Sequence, residues 1–212
     1  MSLTVSGLAI LGATVLGLPI GSVLALKKVP GKTIVLIVFN VFAGLPPVIV
    51  GLSLYLLFSR RGPLGFMSLL YTPTAMVIAQ LLLALPIVIF LSHTAIVNVD
   101  SVIVKASQTL GANPFQVIIT VIKEARYGII SGIIAAFGRV IAEVGAVLIV
   151  GGNIAGYTRV MTTTIALEAD KGNFELAIAL GIILLMISLL VNITLYLIQG
   201  KGSIKEADEL VF

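Results

Sequence analysis

An all-α integral membrane protein with about five transmembrane helices is the fold class this chain predicts, on three observations. Hydrophobic residues make up 59% of the 212 and charged residues only 10%, whereas an average soluble domain carries about 25% charge. The mean hydropathy is +1.20. The apolar residues gather into five long runs, each near the roughly 20 residues that a helix needs to cross a hydrocarbon core of about 30 Å, and none alternates with the period of a barrel strand.

The first run covers residues 3–26. It is too long, and lacks the charged leading region, for a cleavable signal peptide, and its start almost at residue 1 leaves room for an upstream leader. The turn after it, Pro30-Gly31-Lys32-Thr33, ends like a phosphate-binding loop. The first glycine of that motif would fall on Leu26, and the turn joins two membrane helices rather than a strand and a helix. It reads as a short basic turn, so any nucleotide that powers the protein is bound by another subunit. The second run, 33–58, contains Pro46-Pro47; two missing backbone donors kink the helix there and make it a candidate gate. The third, 73–97, carries Gln80, a donor for an anion or for a neighbouring helix, and His93, which reads as a helix-end residue rather than a proton relay. The fourth, 128–150, carries Arg139 and Glu143. On a continuous helix they lie four apart on one face, about 17 Å along from Gly128 and near mid-bilayer. Two roles are open for them: an ion pair that holds helices in register, or a translocation path lined by Arg139 and moderated by Glu143. The fifth, 174–198, contains the sequon Asn192-Ile193-Thr194, which inside a span is a chance match. Residues 200–212 form a short tail of mixed charge, too small for a domain.

Cysteine is absent and histidine occurs once, so metal catalysis and a metal site are set aside. The net charge of +4 is distributed between apolar runs and reports membrane orientation, not nucleic-acid binding. If the first helix enters from outside, Lys27, Lys28, Lys32, Lys105, Lys123, Arg126, Lys201 and Lys205 are cytoplasmic. Arg60, Arg61, Arg159 and Lys171 are then outside, and eight against four favours this orientation. No internal repeat is visible, which gives an inverted-repeat secondary transporter little support.

Between the third and fourth runs lies a polar island, about 98–127, too polar to span and too regular for a slack linker. Its chemistry predicts an elbow: a helix ending at Gly111, where positive φ costs little, and a second helix opened by Asn113-Pro114. The stretch Ala106-Ser107-Gln108-Thr109-Leu110-Gly111, with Val121 ten residues beyond the glycine, resembles the cytoplasmic EAA loop of ABC-transporter permeases, E-A-A-x-x-x-G then nine residues and I-x-L-P. Lys105 stands for the glutamate, Ser107 for the second alanine, Val121 for the isoleucine and Lys123-Glu124 for the leucine-proline pair. Downstream, Phe137-Gly138-Arg139-Val140-Ile141-Ala142-Glu143-Val144-Gly145-Ala146 resembles permeases for tungstate, molybdate and sulfate. Gly151-Gly152-Asn153-Ile154 with the run from Thr158-Arg159 to Glu168 is most similar to the tungstate-uptake members. Leu45-Pro46-Pro47-Val48-Ile49-Val50-Gly51 and Arg61-Gly62-Pro63-Leu64-Gly65 agree with this.

The resemblance covers residues 1–199 and implies a type I ABC importer permease in a prokaryotic cell membrane. Implied with it are a homodimer with the path between subunits, two ATP-binding-cassette subunits that bind ATP and Mg, and an extracytoplasmic oxyanion-binding protein. The chain itself then needs no cofactor and performs no bond chemistry. Ala106, Leu110, Gly111, Ala112, Asn113, Pro114 and Phe115 become the ATPase-coupling residues. Tungstate is the expected cargo, with molybdate second and sulfate third. A secondary transporter or a membrane scaffold is the rival class, and neither has an evident use for such a loop.

Overall fold

The computed structural model describes residues 1–27 and 30–209, with side chains described at 1–27, 30–194 and 197. Lys28 and residues 210–212 lie outside the described residues, and the Lys201 and Lys205 side chains lie outside the described side chains. The described backbone is helical, with ten α-helices. Helix α1 is Ser2–Leu26, α2 Lys32–Ala43, α3 Pro47–Phe58, α4 Pro73–Val97, α5 Ser101–Thr109 and α6 Pro114–Glu124. They are followed by α7 Arg126–Ile141, α8 Gly145–Gly151, α9 Met161–Asp170 and α10 Phe174–Glu209.

Three of these, α1, α4 and α10, are long and apolar enough to cross a membrane alone, and the number rises to five if each of two bent pairs is one span. Helices α2 and α3 meet at 96°. The expected kink at Pro46-Pro47 is thus a full break. Pro46 sits extended as the N-cap of α3 and Pro47 occupies its first turn, where a missing donor costs nothing. Helices α7 and α8 meet at 58° across residues 142–144, where a continuous helix was expected. No proline causes this second break; a side chain does, as described below. Helix α9 was not expected either. It is a short helix beside the membrane spans, carrying the end of the 151–168 motif.

Helix α4 is the axis of the molecule, packed against α1, α7, α2 and α8, while α10 lies outside against α9 and α7. Gly17 and Gly21 bring α1 close to Val88, Ile89 and Ser92 of α4, the small-residue packing that substitutes for a hydrophobic driving force within lipid. Val5, Ala13, Met76, Leu83, Val140 and Val147 form part of the buried core. Helices α3 and α8 touch almost backbone to backbone. A side chain at Gly51 would meet the Ala146 Cα at 2.7 Å, and one at Gly145 would meet Val48 at 2.8 Å. Between residues 176 and 190 every exposed side chain of α10 is apolar, with Leu185 72% exposed, as a lipid-facing helix should be.

The chain ends of the helices define two ends of the bundle. Ser2 Oγ accepts from the Met161 amide at 2.9 Å and the Tyr71 amide donates to the Val150 carbonyl at 2.8 Å, which gathers the starts of α1, α4 and α9 and the end of α8 at one end. Leu26, Lys27, Val104 and Pro114 line a common cleft at the other. The basic residues divide as the sequence suggests: Lys27, Lys32, Lys105, Lys123 and Arg126 belong to the cleft end, and Arg60, Arg61, Arg159 and Lys171 to the far end.

Candidate functional site: an exposed elbow and a broken span

The elbow is built from two standard helix terminators set back to back. Helix α5 starts on Asp100, whose side chain accepts from the Val102 amide at 2.9 Å. It ends with Gly111 N–H donating to Gln108 and Ala112 N–H donating to Ser107, both at 3.0 Å, the paired bonds of a Schellman motif, which needs a left-handed residue. Gly111 supplies it at φ 81°. One residue later Asn113 and Gln116 exchange side-chain-to-backbone bonds of 2.9 and 2.8 Å, a capping box with Pro114 in the first turn. Every turn of chain between the helices is therefore hydrogen-bonded.

On its inner side the elbow is anchored by Val121, buried with Ile96, Ala125 and Ile129. On its outer side it presents Leu110, 88% exposed, and Phe115, 69% exposed. Ala106, Asn113 and Pro114 are also exposed, and Ala112 is half-buried beside a cleft of about 470 Å³. All seven residues of the expected coupling set thus lie on one short structural unit.

The second group is not assembled as the sequence suggested. Arg139 and Glu143 form no ion pair; among the described residues the only one joins Lys171 and Glu168, at 2.8 Å. Helix α7 ends at Ile141, so the two residues do not share a helical face. Glu143 is 7% exposed and its Oε1 accepts the Ala146 amide at 3.0 Å, capping the otherwise orphaned start of α8. Its carbonyl accepts Thr162 Oγ1 at 2.9 Å. The carboxylate is the reason that the span breaks here without a proline. Arg139 lies on the exposed side of α7 in a stripe with Gly128, Ser131, Ala135 and Ala142.

Gln80 is 4% exposed, and its amide donates to the Val140 carbonyl at 2.8 Å, tying α4 to α7 beside the break. It is an interhelical tie. Pro46 and Pro47 mark the other break. His93 is buried on α4, with Nε2 unpartnered among the described residues. Asn192 donates to the Ser188 carbonyl within α10 at 2.8 Å, in keeping with a chance sequon.

The far end holds residues that sequence reasoning did not single out. Thr158 Oγ1 donates to the Gly151 carbonyl and accepts the Ile154 amide, closing the loop after α8. Arg159 donates to the Asn153 side chain and carbonyl, both at 3.2 Å. Glu168 accepts from Lys171 and, at 3.1 Å, from Asn173. The Lys171 bond, against a smaller opposing effect of burial and with help from Asn173, holds the Glu168 carboxyl below its ordinary pKa. The signal was there, since Thr158, Arg159 and Glu168 all lie in the 151–168 motif, but their partners, backbone groups for Thr158 and side chains such as Asn153, Lys171 and Asn173 for the others, are not named by any pattern.

Residues 17–201 match the family described as binding-protein-dependent transport system inner membrane component. The tungstate uptake system permease protein TupB of Peptoclostridium acidaminophilum is 44% identical over 95% of this chain and 88% of that protein. A probable anion ABC transporter permease protein of Haloferax volcanii is 44% identical over 91% of this chain and 85% of its own length. The molybdenum transport system permease protein ModB of Escherichia coli K12 is 30% identical over 91% and 89%. Among solved structures, the inward-facing MetNI methionine ABC transporter matches with a TM-score of 0.76 at 18% identity, covering 94% of this chain and 92% of the matched one, a likeness of fold. With three to five spans, an exposed helical elbow and a match over most of its length, this chain belongs to the binding-protein-dependent transport system inner membrane component family, the multi-pass permeases of ABC importers.

Proposed function

We propose that this permease imports tetrahedral oxyanions, with tungstate as its preferred cargo, and that two copies pair around a two-fold axis to enclose the path. One observation carries the anion reading. Arg139 is exposed about 20 Å along α7 from Arg126, inside a span, on a stripe without a large apolar side chain. A guanidinium facing lipid there would cost roughly 2.5 to 3.5 kcal/mol. A watered path between two copies removes that cost and puts a cation where an anion passes. A closed two-fold pair is the commonest assembly of identical subunits. The 44% identity to a tungstate permease over nearly the whole chain supports tungstate as the cargo.

In this reading Leu110 and Phe115 dock on two cytoplasmic ATP-binding-cassette subunits, which bind ATP and Mg and perform all the hydrolysis. A solute-binding protein docks at the far end over the 151–168 loop. Discrimination among oxyanions rests mainly in that protein, because a closed site that counts hydrogen bonds separates anions better than a path does. The test is ATP-driven uptake of labelled tungstate by proteoliposomes holding the permease, its ATPase and its binding protein. Molybdate should compete strongly and sulfate weakly, and Arg139→Gln should lower uptake with the complex intact. Sulfate competing as well as molybdate overturns the cargo assignment. Uptake driven by an ion gradient without the ATPase overturns the ATP-driven mechanism in favour of a secondary transporter.

A further inference from the structure

A second cationic site stands at the far end, away from both the elbow and Arg139. Helix α3 ends at Phe58, and the chain turns back on it through bonds from Gly62 to Ser59, at 2.8 Å, and from Leu64 to Leu57, at 2.9 Å. Further tight turns join Gly65 to Gly62 and Ser68 to Gly65, both at 3.1 Å. This wound loop and the end of α3 line a cavity of about 520 Å³, with Tyr55, Ser59, Arg60, Ser68 and Tyr71 in its wall. Four hydroxyl-bearing residues and one arginine line it, and no carboxylate is in its wall. Arg60 has no ion-pair partner among the described residues.

The backbone at this cavity is also unusual. Three non-glycine residues among those described have positive φ, and two of them, Ser68 at 49° and Tyr71 at 63°, are in its wall. Such conformations each cost about 1 to 3 kcal/mol and persist where surrounding structure imposes them, which is common at binding sites. Tyr71 is imposed on from two sides: its amide is bonded to Val150 and its ring lies against Gly152. Tyr55 stands beside it in the same wall. Burial, and after it the neighbouring Tyr55, keep the phenol above its ordinary pKa, so it stays protonated at neutral pH.

We infer that this cavity is an entry site for a tetrahedral oxyanion, with Arg60 supplying the charge and Ser68, Tyr55 and Tyr71 supplying hydroxyl donors, the Ser59 hydroxyl being donated to the Leu56 carbonyl. The chemistry follows from the wall: a site with a cation and rotatable hydroxyls, and no carboxylate to repel, suits a dianion with four acceptor oxygens. The Tyr71 to Val150 bond joins the site to the end of α8, whose start is the break that follows Arg139. An anion held here therefore waits about one short helix, roughly 10 Å, from the broken span. The site rests on the oxyanion-import reading, and it can be tested apart from it.

The assembled permease and ATPase, in lipid nanodiscs without the binding protein, are dialysed to equilibrium against labelled tungstate at constant ionic strength in potassium chloride. Wild type should hold tungstate saturably in a chloride-resistant manner. Arg60→Gln should raise the dissociation constant about tenfold or more, the range for a lost charge-assisted bond, and Tyr71→Phe should raise it less. Arg61→Gln removes the same charge one residue away, outside the cavity wall, and should change it by no more than about twofold, as a screened surface charge does. No saturable tungstate on wild type, or equal effects of Arg60→Gln and Arg61→Gln, overturns the site. Either result alongside normal ATP-driven tungstate uptake leaves the import reading standing. Absence of uptake for tungstate, molybdate and sulfate refutes that reading instead, and the dialysis still decides whether Arg60 binds the anion.

Discussion

Replacing Gly111 by valine isolates the backbone of the elbow from everything else. A side chain added at Gly111 would have no heavy atom within 4 Å to collide with, so its whole cost is the φ of 81°. A left-handed conformation costs an L-residue about 1 to 2 kcal/mol, and a β-branched one more, up to about 3. Relaxing that strain means leaving the left-handed region, which breaks the bonds from Gly111 to Gln108 and from Ala112 to Ser107 and re-aims α5 against α6. Because α6 remains anchored by Val121, the displaced parts are α5 and Leu110. Gly111→Val should therefore reduce copurification of the ATPase and substrate-stimulated hydrolysis, while the melting temperature of the detergent-solubilised permease shifts little. Gly111→Asn, which tolerates the left-handed region better, should retain most of the coupling. Full copurification and full stimulation in Gly111→Val would refute the elbow as a rigid coupling element.

Glu143→Leu leaves the Ala146 amide buried without an acceptor and should lower stability by about 1 to 3 kcal/mol, whereas Glu143→Gln keeps an acceptor and should lose less; thermal unfolding in detergent measures both. Since Arg139 and Glu143 are not paired, the losses from Arg139→Gln and Glu143→Gln should add within about 0.5 kcal/mol in a double-mutant cycle, and a coupling above about 1 kcal/mol would restore the ion pair. Glu168 has a lowered carboxyl pKa in the folded chain, so its contribution is present above the ordinary value of 4.5 and disappears as pH falls through the folded value. Wild type and Glu168→Gln should accordingly differ in stability at neutral pH and converge in acid. A difference that grows on acidification would contradict the sign.

Features that depend on nearby residues were legible in the sequence, and features that depend on distant ones were not. The spans at residues 3–26 and 73–97 reappear as α1 and α4 almost to the residue, because length and apolarity alone decide them. The elbow was legible for a similar reason: Gly111 and Asn113-Pro114 act within four residues of themselves. The break at 142–144 was not, because the eye looks for proline, and here a glutamate reaches three residues ahead while Thr162 secures it from nineteen residues away. The Arg139 and Glu143 pairing failed with it, since that reading assumed an unbroken helix. An acid two residues before Gly145, between apolar runs, was the one available sign of a capped restart. Arg60 does not stand out in the sequence because a basic residue after a span is ordinary; only the folded loop brings it beside Tyr55 and Tyr71.

The near-contact of Gly51 with Ala146 links the two interrupted spans as parts of one lever. Helices α3 and α8 each follow a break, at residues 44–46 and 142–144, and their backbones are pressed together without room for a side chain between them. Neither has room to swing toward the other alone. A tilt of α3 toward α8 must therefore push α8 on α7, so in that direction the two pivots would turn as a crank with a common arm. The far-end loop wound on α3 and the Tyr71 bond to α8 ride on that arm, while α2 and α7 stay with the end that holds the elbow. A bulkier residue at position 51 would therefore act at a distance from both pivots, by wedging the arm apart rather than by touching either joint.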